Sequence, residues 1–190
     1  MDAFLLSFGV IFLAELGDKS QLMALAFATR FPALTVLVAI SAATLFVHLG
    51  SVALGATVAV ALPRNAISVI AGLAFLVFAA WTLRGDELGE ADEARVRIET
   101  TSSVLLTVGT AFLLAELGDK TMLATVTLAT DHEALGTWLG STAGMVAADA
   151  IAIGVGRVLG TRLPERAVRV GAAVAFVVFG LILIWEGSHG

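Results

Sequence analysis

A six-residue segment rich in charged side chains occurs twice in the chain, as AELGDK at residues 14–19 and again at residues 115–120. Each copy carries two carboxylates and one lysine. Both copies lie within long apolar stretches, where an ionised side chain costs at least about 2.5 to 3.5 kcal/mol even on a lenient insertion scale. Ionisable groups in such a setting are typical of a binding site or pathway for cations.

The acids of each copy are spaced so that they could bind one ion together. Glu15 and Asp18 are three residues apart and would share a face of a continuous helix. Glu116 and Asp119 repeat that spacing. A glycine between the acids permits close helix approach or a local unwinding of the helix. Further oxygen atoms come from the side chains that follow the acids, namely Ser20, Gln21 and Thr121.

The ligand types indicate which cations the site would take. The motifs offer carboxylate, hydroxyl and amide oxygens, and the chain has no cysteine. Hard oxygen ligands favour calcium, manganese or magnesium over copper or zinc. Four carboxylates and two lysines leave a formal charge of −2, which one divalent cation would neutralise. Lys19 and Lys120 are not assigned as ligands, since they could pair with the acids or extend away from them.

The same acids suggest how transport would be driven. When the cation leaves, four carboxylates crowded in a low-dielectric medium are expected to take up protons. A site that holds either a metal ion or protons predicts a secondary cation/proton exchanger. No phosphate-binding loop or nucleotide fingerprint is present, so nothing in the chain indicates transport driven by ATP.

Two further polar residues, His48 and Asp149, lie within apolar stretches and are 101 residues apart, as the two motifs are. Either residue could carry a proton, and Asp149 could be a fifth oxygen ligand or a gate. For His48 the alternative is a hydrogen-bonded packing role in a helix bundle.

The elements that must position these residues are predicted to be membrane helices. The chain has 190 residues, 58% hydrophobic and 14% charged, and its mean hydropathy is +0.97. No basic arm or aromatic surface indicates a nucleic-acid partner, and the expected surroundings are a lipid bilayer. A membrane helix needs roughly 20 mostly apolar residues. Six such spans are predicted, at residues 3–29, 34–62, 66–83, 104–130, 134–157 and 167–185.

The two halves of the chain are related by an internal duplication. The offset of 101 residues that relates Glu15 to Glu116 also relates Pro63 to Pro164. Because three spans is an odd number, the second copy must enter the membrane from the opposite side. The prediction is an all-α integral membrane protein of six transmembrane helices in two inverted three-helix repeats, at residues 1–84 and 103–190. An acidic cytoplasmic linker at residues 85–102 joins them.

The arginines predict the orientation of the chain in the membrane. Cytoplasmic loops carry an excess of Lys and Arg. One set of connections holds eight arginines and the other holds only Arg64. The arginine-rich connections are therefore expected in the cytoplasm, with both termini outside it. The expected location is a bacterial-type inner (plasma) membrane, and the oligomeric state is left open.

The segments ELGDKS at residues 15–20 and ELGDKT at residues 116–121 resemble the E-x-G-D-[KR]-[ST] signature of the GDT1 family, once an uncharacterised family numbered sixteen. The resemblance implies a transporter that exports cytosolic manganese, or alternatively calcium, in exchange for protons. The metal ion is then a substrate, and no cofactor is expected. Many members have glutamine after the hydroxyl residue in both copies, whereas here Met122 replaces it in the second, which would bias the site away from calcium. The residues carried over as metal ligands are Glu15, Asp18, Glu116 and Asp119, with Ser20 and Thr121 as auxiliary ligands.

Three other functions are weighed against exchange. An exporter of a small organic cation or amino acid would need an apolar pocket with fewer converging acids. An intramembrane metalloenzyme would typically need several histidines, and the chain has only three, so no enzyme activity is expected. A non-transporting assembly factor would tolerate neutral substitutes for the acids. The motifs could also serve only as salt bridges within each helix, between Glu15 and Lys19 and between Glu116 and Lys120.

Overall fold

The computed structural model of the protein describes residues 2–84, 103–159 and 165–189, and all regular structure in these ranges is α-helical. The predicted acidic linker at residues 85–102 lies outside the described residues. The helices of the described part, numbered in chain order, are α1 Asp2–Glu15, α2 Lys19–Arg30, α3 Ala33–Ala61, α4 Arg64–Arg84, α5 Val104–Glu116, α6 Lys120–Asp131, α7 Ala134–Leu159 and α8 Glu165–His189.

Three helical stretches are long and apolar enough to cross a membrane within the described ranges. They are Ala33–Ala61, Asn65–Arg84 and Val170–His189, and their mean hydropathies are 2.0, 2.3 and 2.2. Large apolar side chains cover their outer surfaces, for example Val60, which is 91% exposed. Such faces are typical of helices surrounded by lipid. The architecture is therefore that of an α-helical membrane protein.

The predicted spans 3–29 and 104–130 are not continuous helices. The first is divided into α1 and α2, and the second into α5 and α6. With 14 residues, α1 is only about 21 Å long, less than the roughly 30 Å of a bilayer's hydrocarbon core. The prediction that the two acids of each motif share a face of one helix is therefore wrong. Both breaks fall within the motifs, at residues 16–18 and 117–119.

The two halves of the chain pack against each other through corresponding helices. α1 packs on α7 and α3 packs on α5, while α4 packs along α8. Two contacts join residues that are 101 positions apart. The Thr44 hydroxyl donates to Met145 Sδ at 3.6 Å, and the rings of Phe75 and Phe176 are 5.8 Å apart. Equivalent surfaces of the two halves therefore meet at these positions.

Glycines allow α1 to lie against the backbone of α7. A Cβ atom at Gly144 would be 2.5 Å from the Phe8 carbonyl oxygen. A Cβ atom at Gly140 would overlap the Phe4 carbonyl oxygen. Because both obstacles are backbone atoms, only glycine fits without moving a helix. This contact holds α1, which ends at Glu15, against the helix that carries Asp149.

We expect Gly140→Ala to destabilise the protein. The added methyl group must push α1 away from α7, and overpacking of this kind costs typically about 1 to 3 kcal/mol. The matched control is Gly154→Ala in the same helix, where a Cβ atom would meet nothing within 4 Å. This control should be neutral or stabilising, because alanine is the better helix former. Thermal unfolding of the two variants in detergent measures the difference, and equal unfolding midpoints would contradict the proposed contact.

Candidate cation site

Each motif forms a tight turn that ends one helix and begins the next. In the second copy, the Asp119 amide donates to the Glu116 carbonyl at 3.2 Å. Leu117 has φ −64° and ψ 115°, and Gly118 has φ 81°, which are the dihedral angles of a type II turn. In the first copy, Asp18 donates to Glu15 at 3.1 Å in the same way. The glycine of the motif is required because this turn needs a positive φ at its third residue.

The aspartate of each motif begins the second helix. Asp18 is the N-cap of α2, and its carboxylate accepts from the Ser20 amide at 3.4 Å and from the Ser20 hydroxyl at 3.1 Å. Asp119 occupies the same place before α6 and accepts from the Thr121 hydroxyl at 3.4 Å. That hydroxyl also lies 3.3 Å from Glu116 Oε2. A helix N-terminus stabilises negative charge, so the turn places each aspartate in a favourable field.

The side chain after each hydroxyl residue caps the glycine amide. The Gly17 amide donates to Gln21 Oε1 at 2.8 Å, and the Gly118 amide lies 3.1 Å from Met122 Sδ. Gln21 Nε2 in turn donates to the Ala148 carbonyl at 2.9 Å, which ties the first turn to α7. The two contacts with the glycine amides are not predicted from the sequence, although in both copies the capping residue lies four positions after the glycine. The role of Gln21 as a metal ligand stays a prediction.

The two motifs are joined by ion pairs that cross between the halves of the chain. Lys19 Nζ lies 3.1 Å from Asp119 Oδ1, and Lys120 Nζ contacts Asp18 Oδ1. Lys19 therefore reaches the opposite motif rather than Glu15, four residues before it. The pairs differ in exposure, since the Lys19 side chain is 23% exposed and the Lys120 side chain is 4% exposed.

Three further carboxyl groups lie beside these pairs. Glu15, Glu116 and Asp149 are all buried. Within the described part of the chain, both carboxylate oxygens of Glu15 and of Asp149 lack a hydrogen-bond partner, as does Glu116 Oε1. Asp149 is close enough to both glutamates to interact with them electrostatically. The fold thus brings five buried acids and two lysines into one cluster, named here the acid–lysine cluster.

The arrangement of the acid–lysine cluster is not that of a closed metal cage. In the ranges that the structure describes, no three histidine, aspartate or glutamate side chains are arranged to hold a metal ion. Lysine ammonium groups bind the two aspartates instead. Metal ligation by Glu15, Asp18, Glu116 and Asp119, with Ser20 and Thr121, stays a prediction.

His48 is placed differently from its counterpart Asp149. Its buried ring contacts the Thr142 hydroxyl, with Nδ1 and Oγ1 3.4 Å apart. This contact joins α3 to α7 and agrees with a packing role. A role in proton transfer stays a prediction for His48.

The chain is similar to known proteins over nearly its whole length. A family model named "Divalent cation/proton antiporter GDT1" matches residues 3–90 and 104–190. A Vibrio cholerae protein, provisionally named a manganese exporter, is 30% identical over 184 residues, which cover 95% of this chain and 90% of that protein. Protein PAM71 of Arabidopsis thaliana is 32% identical over 206 residues, covering 95% of this chain but 56% of PAM71. No solved structure matches the chain.

We expect Gly118→Ala to destabilise the protein although there is room for the methyl group. A Cβ atom at this position meets nothing within 4 Å, but φ is +81°. The left-handed conformation costs a residue with a Cβ atom about 1 to 2 kcal/mol. Gly118→Asn should cost less, because asparagine tolerates this conformation better. Thermal unfolding of both variants is the measurement, and an unaltered midpoint for Gly118→Ala would contradict the turn geometry.

Proposed function

The chain belongs to the GDT1 family of divalent cation/proton antiporters, and on that premise we propose that it exports manganese from the cytosol in exchange for protons. Calcium is the alternative cargo. The observation that carries the proposal is the acid–lysine cluster. Two of its aspartates have lysine partners, while Glu15, Glu116 and Asp149 are buried beside them with oxygens that lack hydrogen-bond partners among the described residues. The family is one of transporters, which agrees with the prediction that the chain is not an enzyme.

Charge balance connects this cluster to exchange. An isolated ionised carboxylate is very costly to bury, so an unpartnered buried acid is held most favourably in its protonated form. A divalent cation that entered the cluster would supply the missing positive charge, and the acids that bound it would release their protons to water. When the cation left, protons would have to return. Opposite movement of metal and protons follows from the requirement that the cluster stay close to neutral in an apolar medium.

The ligand chemistry supports manganese as cargo. The predicted ligands are carboxylate and hydroxyl oxygens, which suit manganese, calcium and magnesium. Met122 stands where Gln21 stands in the first motif, so the second motif offers no amide oxygen to calcium, which takes more oxygen ligands than manganese or magnesium. The Vibrio cholerae relative is provisionally named a manganese exporter. The Gln21 amide oxygen accepts from the Gly17 amide, which leaves its second lone pair for a cation.

Alternating access is proposed to come from two inverted three-helix repeats at residues 1–84 and 103–190. In this arrangement α1 with α2, and α5 with α6, would each form one broken span, so that six spans cross the membrane and both termini lie outside the cytoplasm. The contacts of Thr44 with Met145 and of Phe75 with Phe176 support a twofold relation between the halves. The turns of both motifs would then meet near the bilayer midplane, as half-helix ends do in inverted-repeat carriers.

We expect proton-driven manganese uptake in liposomes, and its loss in Glu116→Gln. In vesicles with an acidic lumen, protons leaving through the carrier should draw external manganese inward, and a reversed gradient should slow it. Glu116→Gln removes a buried acid from the acid–lysine cluster and should lower uptake by at least about a hundredfold if proton transfer is lost. Glu186→Gln is the control, because it removes an exposed carboxylate from α8. A divalent-sensitive dye measures uptake of manganese and, in parallel, of calcium.

The results separate the possible functions. Uptake of one ion that requires both the gradient and Glu116 supports the exchanger and identifies its cargo. Metal movement without proton dependence would contradict the exchange. If folded protein moves neither ion, an exporter of organic cations or amino acids becomes the better hypothesis.

We expect Asp149→Asn to weaken proton coupling more than metal binding. Asp149 lies on α7 rather than on a motif turn, and its carboxylate has no hydrogen-bond partner in the described part of the chain. The variant should retain manganese binding but release fewer protons per ion, measured with a pH dye in the liposome lumen. Loss of manganese binding in Asp149→Asn would instead make this residue a ligand.

A further inference from the structure

We propose that Lys19 and Lys120 are tethered counter-cations, each of which binds the aspartate of the opposite motif while no cargo is present and leaves it when a divalent cation enters. This inference rests on the proposed function and extends it to two residues that are not themselves expected to bind metal. It is carried by the two ion pairs between the motifs.

The first step is that cargo and lysine compete for the same atoms. Lys120 Nζ contacts Asp18 Oδ1, and Lys19 Nζ lies 3.1 Å from Asp119 Oδ1. Both aspartates are buried, at 1% and 3% exposure. A divalent cation bound to an aspartate oxygen would repel an ammonium group already there, since opposite charges stabilise and like charges destabilise buried groups. Cargo binding by Asp18 or Asp119 therefore requires that a lysine move away.

The second step is that the empty cluster needs these lysines. A buried aspartate without a positive partner would carry an uncompensated charge into an apolar medium. The ammonium groups remove that cost for Asp18 and Asp119 and leave only Glu15, Glu116 and Asp149 to be neutralised by protons. The lysines thus lower the free energy of the cargo-free state of the carrier. An exchanger must pass through this state in every cycle.

The third step is that the pairs connect the two halves of the chain. Each lysine is the first residue of a helix and directly follows the aspartate that caps it. Lys19 nevertheless reaches Asp119 in the other motif, and Lys120 reaches Asp18. A cation that binds one motif would displace the lysine of the other, so that cargo binding releases an attachment between the halves.

The two pairs are expected to open in order. Lys19 is 23% exposed on its side chain, whereas Lys120 is 4% exposed. The more exposed pair is the weaker one, because water that reaches it screens the two charges. Arriving cargo should displace Lys19 first, while the buried pair of Lys120 with Asp18 stays in place.

A purely structural role makes the opposite prediction for cargo affinity. If the lysines only fasten the halves together, removing one should loosen the cluster, weaken manganese binding and destabilise the fold. If they compete with cargo, removing one should strengthen manganese binding. Equilibrium affinity therefore distinguishes the two roles without relying on transport.

The first experiment measures manganese binding to purified full-length protein in lipid nanodiscs. Lys120→Gln should bind manganese about tenfold more tightly or better, because a buried charge pair no longer has to be broken. Lys120→Arg keeps the positive charge and should stay near the wild-type affinity. Arg84→Gln removes one positive charge from the exposed end of α4 and is the matched control. Unaltered or weaker binding by Lys120→Gln would overturn the proposal.

The second experiment compares two transport modes in the same liposomes. In proton-driven net uptake, the carrier must change from its inward-facing to its outward-facing conformation without bound metal. Exchange of labelled for unlabelled manganese does not require this metal-free step. Lys120→Gln should therefore lower net uptake several-fold relative to exchange. An equal loss in both modes would overturn the proposal in favour of a structural role.

Folding and function are controlled separately. Thermal unfolding of each variant shows whether it is folded. If Lys120→Gln does not fold, Lys19→Gln, which removes the lysine of the more exposed pair, takes its place. Lys19→Gln should also bind manganese more tightly than wild type. Wild-type protein that neither binds nor moves manganese or calcium would reject the proposed function. Wild-type transport together with unaltered or weaker manganese affinity in a folded lysine variant would reject this inference alone.

Discussion

A carboxylate buried in an apolar helix bundle must have a positive partner or a proton, and the centre of this protein is arranged around that constraint. Five acids are gathered where water is scarce. Two of them are bound by lysines from the opposite half of the chain. The other three have oxygens without hydrogen-bond partners in the described part of the chain. Any cation that enters must therefore replace an internal positive charge, a proton or a lysine.

The breaks in the helices place backbone amides and a helix N-terminus next to the aspartates. A continuous helix would satisfy its own amides and carbonyls and would leave Asp18 and Asp119 without backbone donors nearby. The type II turn at residues 116–119 instead ends one helix and begins another. Each aspartate then stands at a helix N-terminus, where the helix dipole favours its negative charge. The glycine in each motif is therefore part of the electrostatics of the site, because no other residue adopts this turn as easily.

The halves correspond in helix order but differ in packing and exposure. Glycines at 140 and 144 bring α1 onto α7, whereas the equivalent positions of α3 are Ala39 and Ala43. An apolar groove between α3 and α5 is lined by these two alanines, among other residues. The lysine pairs are unequal as well. Because the α1–α7 and α3–α5 contacts differ, a carrier conformation in which the two halves exchanged their roles would differ in free energy. Such differences would favour one conformation over its opposite.

The sequence by itself determined the membrane class and predicted an internal duplication and a set of candidate site residues. Hydrophobic runs, an offset of 101 residues and a repeated motif are local properties that can be read from the chain. The tertiary structure decided which charges meet. Lys19 lies four residues after Glu15, and helical spacing alone would pair them, but the turn at Gly17 directs the lysine to Asp119. Partners 100 residues apart in sequence are chosen by how the two halves pack, and that depends on contacts such as those of Gly140 and Gly144, which no local pattern encodes.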